Sequence, residues 1–136
     1  MVEPNETHAA GTISIHTVNA YNSTEGSSTV KQHKQGVGVG YILEINGTRI
    51  YHAGDTDVIP DMKKLGKIDI AMLPIGGTFT MNPKEAIEAI EIIKPTIVIP
   101  MHNLAQSLHT FAKKVEKETK AKAVVMEIGE KFLFKK

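Results

Sequence analysis

Gly40–Met62 reads "GYILEINGTRIYHAGDTDVIPDM", and its hydrophobic period changes part-way along. Two alternating, β-branched runs, "VGVGYILEI" and "TRIYHA", flank Asn46-Gly47. Both turn residues tolerate positive φ, so this pair predicts a tight antiparallel hairpin. After Ala53 the alternation stops, and "DVIPDMKKLG" predicts a short helix halted near Gly66. Upstream, "TISIHTVNAY" (Thr12–Tyr21) alternates and predicts a strand. The polar stretch "NSTEGSSTVKQHKQG" (Asn22–Gly36) between them is a long loop, of the kind expected to be functional or mobile.

Downstream the pattern becomes helices between buried strands. "IDIAMLPI" (Ile68–Ile75) is an apolar strand running into "GGT". In "NPKEAIEAIEIIKP", Asn82 is the predicted N-cap, Pro83 the first helical residue and Glu85 the partner in a capping box. Ala86, Ile87, Ile90 and Ile93 supply the apolar stripe, and Pro95 prevents continuation. "TIVIP" is a further strand leading to "MHN". From Leu104 to Thr119, Leu104, Leu108, Phe111 and Val115 recur at helical spacing, and "KAVVMEI" with "KFLF" predicts a closing hairpin. Three strands followed by alternating helices and strands predict a single α/β domain over residues 1–136, with antiparallel hairpins at its margins.

The bulk composition excludes several classes. Hydrophobic residues form 41% and charged residues 23% of the 136, an ordinary globular balance. A formal charge of +1 gives no electrostatic reason to expect nucleic acid or an anionic membrane. The basic residues of "KKVEKETKAK" alternate with acidic ones, which predicts a solvated helix face. There is no cysteine, hence no disulfide and no thiolate metal site. The opening "MVEPNETHAAG" lacks the pattern of a signal peptide, and no apolar run approaches about 20 residues. A cytoplasmic setting is expected, with the Asn-x-Ser/Thr triplets at Asn5, Asn22 and Asn46 arising by chance.

Ligands of α/β sheets gather where strands end in loops at their carboxyl edge. Three successive strands end here in Gly54-Asp55-Thr56-Asp57, Gly76-Gly77-Thr78 and Met101-His102-Asn103. A carboxylate and an imidazole can converge there across a glycine-rich turn, and those donors suit Zn²⁺, Mn²⁺ or Fe²⁺. Asp55 has the competing role of capping the helix after it, and Asp57 is better placed still for that. His52 and His16 lie in strands and are expected to be partly buried packing residues. His109 is expected on a surface or in packing, His8 in a frayed terminus and His33 solvated in the long loop. "GVGVG" (Gly36–Gly40) precedes a strand rather than a helix, so it is no dinucleotide fingerprint. Ser27 and Ser28 lack the strand-turn-helix context of a nucleophile.

Taken together, "GVGYILEINGTRIYHAGDTDVIPDM", "IDIAMLPIGGTFTM" and "IVIPMH" resemble the metallo-β-lactamase superfamily, in its branch of metal-dependent hydrolases. The resemblance runs from about Ile13 to His102. It implies the C-terminal half of an αββα sandwich, a mixed sheet with helices on one face. It further implies that Asp55 and His102 bind metal, zinc above all, with Mn or Fe as alternatives. Gly76, Gly77, Thr78 and His52 would line the site, and hydrolysis by metal-activated water would be the reaction.

The chain also departs from that pattern. The H-x-H-x-D-H element, which supplies most ligands of the first metal, occurs nowhere in the sequence. Asn22 stands where related sequences often carry a ligand histidine, leaving Asn22 and His33 as substitute ligands. The expectation is half of a hydrolase, incomplete as a catalyst by itself and partnered by the missing N-terminal half. The alternative is a non-catalytic module that forms a homodimer or larger assembly through an exposed sheet face bearing Tyr41, Leu43 and Val98. A third arrangement has Asp55 and His102 of two chains sharing an ion without catalysis.

Overall fold

A computed structural model describes residues 2–135. The chain builds one seven-stranded mixed sheet in which the strands lie side by side in chain order. They are β1 (Thr7–Ala10), β2 (Ile13–Ala20), β3 (Gly38–Ile45), β4 (Thr48–His52), β5 (Ile70–Pro74), β6 (Ile97–Met101) and β7 (Lys122–Ala123). Two helices, α1 (Pro83–Ile93) and α2 (Leu108–Glu118), and a 3₁₀ turn at Pro60–Lys64 complete it. The first four strands pair antiparallel and the last four pair parallel, so β4 is where the direction rule changes.

The β3–β4 turn has the backbone that Asn-Gly favours. Asn46 and Gly47 take φ of 49° and 75°, and Ile45 opposes Thr48 directly. That turn fixes the register, and the register fixes which side chains share a face. Ile42, Tyr51, Ala71 and Val98 stand in one cross-strand row. None is more than 4% exposed, and Ile87, Ile90, Phe111 and Val115 of the two helices belong to the same core. Both helices therefore cover one side of the sheet.

The other side carries Tyr41, Leu43, Ile50, His52, Met72 and Ile99, all partly exposed, together with Ile70 and Ile97, which are buried. Tyr41 and Leu43 lie on this open face as expected. Val98 does not: it is fully buried beneath the helices. "TIVIP" is apolar at both parities, so its pattern could not say which residues face which side.

α1 begins as its sequence requires. Asn82 Oδ1 accepts from Glu85 N at 3.0 Å while Glu85 Oε2 accepts from Asn82 N at 3.1 Å. Lys94, left-handed at φ 53°, ends it by donating its N–H to the Ile90 carbonyl.

Several boundaries differ from the pattern-based expectation. β1, placed in a frayed terminus, is an exposed edge strand paired along β2, with His8 opposite Ile15. The helix after Gly54 is only the 3₁₀ turn, closed by Gly66 at φ 70°. α2 starts at Leu108 behind an N-cap Ser107, because Leu104 is left-handed at φ 47° and cannot be helical. The closing hairpin is absent among the described residues. Only Lys122–Ala123 pairs, parallel to β6, although a turn does form where Glu130 N donates to the Glu127 carbonyl. Among the described residues no helix is long and apolar enough to cross a membrane.

Candidate metal centre

The parallel strands β4, β5 and β6 deliver their carboxyl ends to one edge of the sheet. Past β4, Gly54 at φ 68° turns the chain so closely that a Cβ there would lie 2.7 Å from the Val39 carbonyl oxygen. This glycine cannot be replaced without moving β3, and it aims Asp55 outward. His52 supports the same turn, its Nδ1 accepting from Gly54 N at 3.2 Å. Past β5, Gly76 lets the β6 turn press against it: a Cβ would stand 2.7 Å from the His102 carbonyl oxygen. His102 itself is held at φ 49°. A left-handed non-glycine residue costs energy, as it does also at Lys94 and Leu104 of this chain.

His102 Nε2 lies 3.6 Å from Asp55 Oδ1. On the other oxygen, His33 Nε2 lies 3.5 Å from Asp55 Oδ2. The expectation of a solvated loop histidine is thus overturned. The His33 ring nitrogen is shielded from water and has no hydrogen-bond partner. Both separations exceed the 2.7–3.2 Å range of a good N–H···O hydrogen bond, so neither imidazole is simply paired to the carboxylate. Among the described residues no three His, Cys, Asp or Glu side chains close into a ready metal cage. The arrangement is one carboxylate with an imidazole standing off from each oxygen.

Asn22 is placed beside the site but is committed to the backbone. Its Oδ1 accepts from His33 N at 2.9 Å, and its Nδ2 donates to the Phe79 carbonyl at 2.9 Å and to Ser28 Oγ at 3.2 Å. It therefore fixes His33 rather than offering a free donor. Thr78 plays a similar part, its carbonyl accepting from Val30 N at 2.8 Å. Gly77, at φ 80°, donates its N–H to the Met81 carbonyl.

Asp57 is the residue that local pattern misassigned. The 3₁₀ turn has Ile59 at its N-cap and no side-chain cap, so Asp57 caps nothing. It is fully buried and accepts from Ser23 N, Ser28 Oγ and Lys31 Nζ at 3.1, 2.7 and 3.1 Å. Nothing within the segment after Gly54 announces this, because all three donors come from the distant β2–β3 loop.

A mixed sheet with helices on one face and acid and imidazole groups at its carboxyl edge defines an α/β protein of the metallo-β-lactamase fold class. Residues 1–102 match the beta-lactamase superfamily domain, and the chain belongs to that superfamily. A metal-dependent hydrolase of Thermococcus onnurineus (strain NA1) is 44% identical over 113 residues, covering 76% of this chain and 50% of that protein. The crystal structure of a Parabacteroides distasonis protein superposes with a TM-score of 0.82 at 32% identity, over 91% of this chain and 56% of that one. A metallo hydrolase from Ignicoccus hospitalis superposes at 0.78 with 29% identity, over 98% of this chain and 60% of that one. The chain spans about half the length of the curated relatives it matches.

Proposed function

We propose that this chain supplies the Asp55, His33 and His102 side chains of a divalent-metal centre, as the C-terminal portion of a metal-dependent hydrolase. The observation that carries this reading is the pair of imidazole nitrogens set 3.5 and 3.6 Å from the two oxygens of one carboxylate. Two donors bound at Zn–N and Zn–O distances to one tetrahedral ion stand about 3.4 Å apart. The unpartnered His33 nitrogen supports the same reading, since a buried ring nitrogen ordinarily finds a partner. Zinc is the favoured metal for imidazole and carboxylate donors, with manganese and iron next. The bound metal would supply a water acidic enough to act as a hydroxide near neutral pH.

The chain's own contribution is to hold two imidazoles and a carboxylate oriented at the sheet edge, with Gly76 admitting the His102 backbone and the Leu104 side chain close against it. Residues 1–136 contain no H-x-H-x-D-H element, and the remaining ligands are those of a segment that carries it. A second reading is favoured by the open sheet face of Tyr41, Leu43, Ile50, Met72 and Ile99: self-association that covers it.

Zinc content measured after dialysis tests the first reading. Asp55→Ala, His102→Ala and His33→Ala should each lower bound zinc at least tenfold relative to the parent. Addition of a separately produced segment bearing H-x-H-x-D-H, with Zn²⁺ or Mn²⁺, should then raise hydrolysis of generic phosphodiesters or esters. Unchanged zinc in all three variants would remove the metal centre, and background hydrolysis on complementation would count against the hydrolase half.

A further inference from the structure

The β2–β3 loop is anchored by two carboxylates that do not face the candidate metal centre. Asp57 is the inner anchor. The loop wraps it so tightly that a Cβ on Gly26 would fall 2.2 Å from its Oδ2. The Lys31 ammonium lies between three oxygens, donating to the Gly26 carbonyl, to Ser28 Oγ at 2.9 Å and to Asp57 Oδ2 at 3.1 Å. Glu85 is the outer anchor. Its Oε1 accepts from Ser27 N at 2.7 Å and its Oε2 from the Ser27 hydroxyl, while the same side chain closes the α1 capping box.

From Asp57 a continuous hydrogen-bonded path leads to the site. Asp57 accepts from Ser28 Oγ, Ser28 Oγ accepts from Asn22 Nδ2, and Asn22 Oδ1 accepts from His33 N. Asn22 N also donates to the His33 carbonyl at 2.8 Å, so the backbone of His33 is gripped from both sides. A fully buried carboxylate with one oxygen lacking any hydrogen-bond partner is a poor way to gain stability. It is a good way to impose a single loop geometry.

We infer that Asp57 is a positioning residue: with Lys31 and Ser28 it locks the β2–β3 loop so that His33 stands against Asp55. The inference rests on His33 being a metal ligand, and it makes the affinity of the centre depend on a carboxylate that never touches the metal. Residues that orient metal ligands from behind typically change affinity by about 10–100-fold when removed.

The test uses Co²⁺ as the probe, titrated into the parent chain and into Asp57→Asn, Ser28→Ala and His33→Ala, with amide hydrogen exchange of residues 22–36 measured in parallel. Ser28→Ala keeps the test alive if Asp57→Asn does not fold. Both lock variants should exchange faster across the loop and bind Co²⁺ at least tenfold more weakly. Their visible Co²⁺ absorption should move toward that of His33→Ala, whose own loop exchange stays at the parent rate. Parent-like loop exchange in the lock variants would overturn the lock. A loosened loop with unchanged Co²⁺ affinity and spectrum would overturn its link to the metal. If His33→Ala also binds Co²⁺ as the parent does, or the parent binds none, the failure lies in the metal reading and the inference falls with it.

Discussion

Tyr51 lies under the helices with 1% of its surface exposed. Burial first, and then the negative charge of Asp61, pushes its hydroxyl above the ordinary 10.0. Below pH 10 neither the folded nor the unfolded state ionises this group, so it adds no slope. Above it the unfolded chain gives up a proton that the folded chain keeps, and stability must fall as pH rises, by about 1.4 kcal/mol per unit. Urea midpoints measured from about pH 10 upward should therefore decline, and Tyr51→Phe should flatten the decline. Tyr21 is shifted the same way, by burial and then by Asp61 and Glu25, so the slope is reduced rather than abolished. An unaltered slope in the variant would show that the ring hydroxyl is not the group responsible. At this scale the sequence spoke unevenly. The placement of Asp55 and His102 at one sheet edge was legible because each follows a strand at its carboxyl end. His33 and Asp57 were not, because one is defined by a loop folding back and the other by donors at least 26 residues away.

Elements with a local signature were the legible ones. The Asn46-Gly47 turn and the Asn82–Glu85 capping box both rest on residues within three positions of each other, and both form as expected. β1 gave no signal because all four of its residues are exposed, so no apolar alternation was required of it. "KAVVMEI" gave a false signal for the opposite reason, being apolar and β-branched without a neighbouring strand to pair beyond Ala123. The cap of α1 has a further task, since Glu85 also holds Ser27 of the loop. Asn82→Ala removes the cap alone and should cost about 1 kcal/mol. For a chain of this size that corresponds to a melting temperature lower by about 4 °C in a circular-dichroism melt. Glu85→Ala should cost more than Asn82→Ala, because it releases the loop as well. Equal losses would mean that the Ser27 contact adds nothing to stability.

For the whole molecule, the two faces of the sheet pose different problems. One is closed by α1 and α2 over Ile42, Tyr51, Ala71 and Val98. The other leaves Tyr41, Leu43, Ile50, Met72 and Ile99 partly in water. Ile70 and Ile97 of that face are buried, and its partly exposed apolar side chains are the part a partner would cover. The fold class was readable because three segments in register outline one sheet edge. The fate of the open face was not, since period-2 alternation says that a face is apolar and not what covers it. A second copy packing about a two-fold axis satisfies the face with no further component, because a two-fold interface needs only self-complementary surfaces. Sedimentation velocity on the isolated chain should then give a dimer or larger species. Leu43→Glu, which places a charge on the open face and leaves the helix-covered core untouched, should shift that species to the monomer while the melt stays within a few degrees of the parent. A parent chain that sediments as a clean monomer without aggregation removes the case for self-association. A dimer unaffected by Leu43→Glu moves the interface elsewhere.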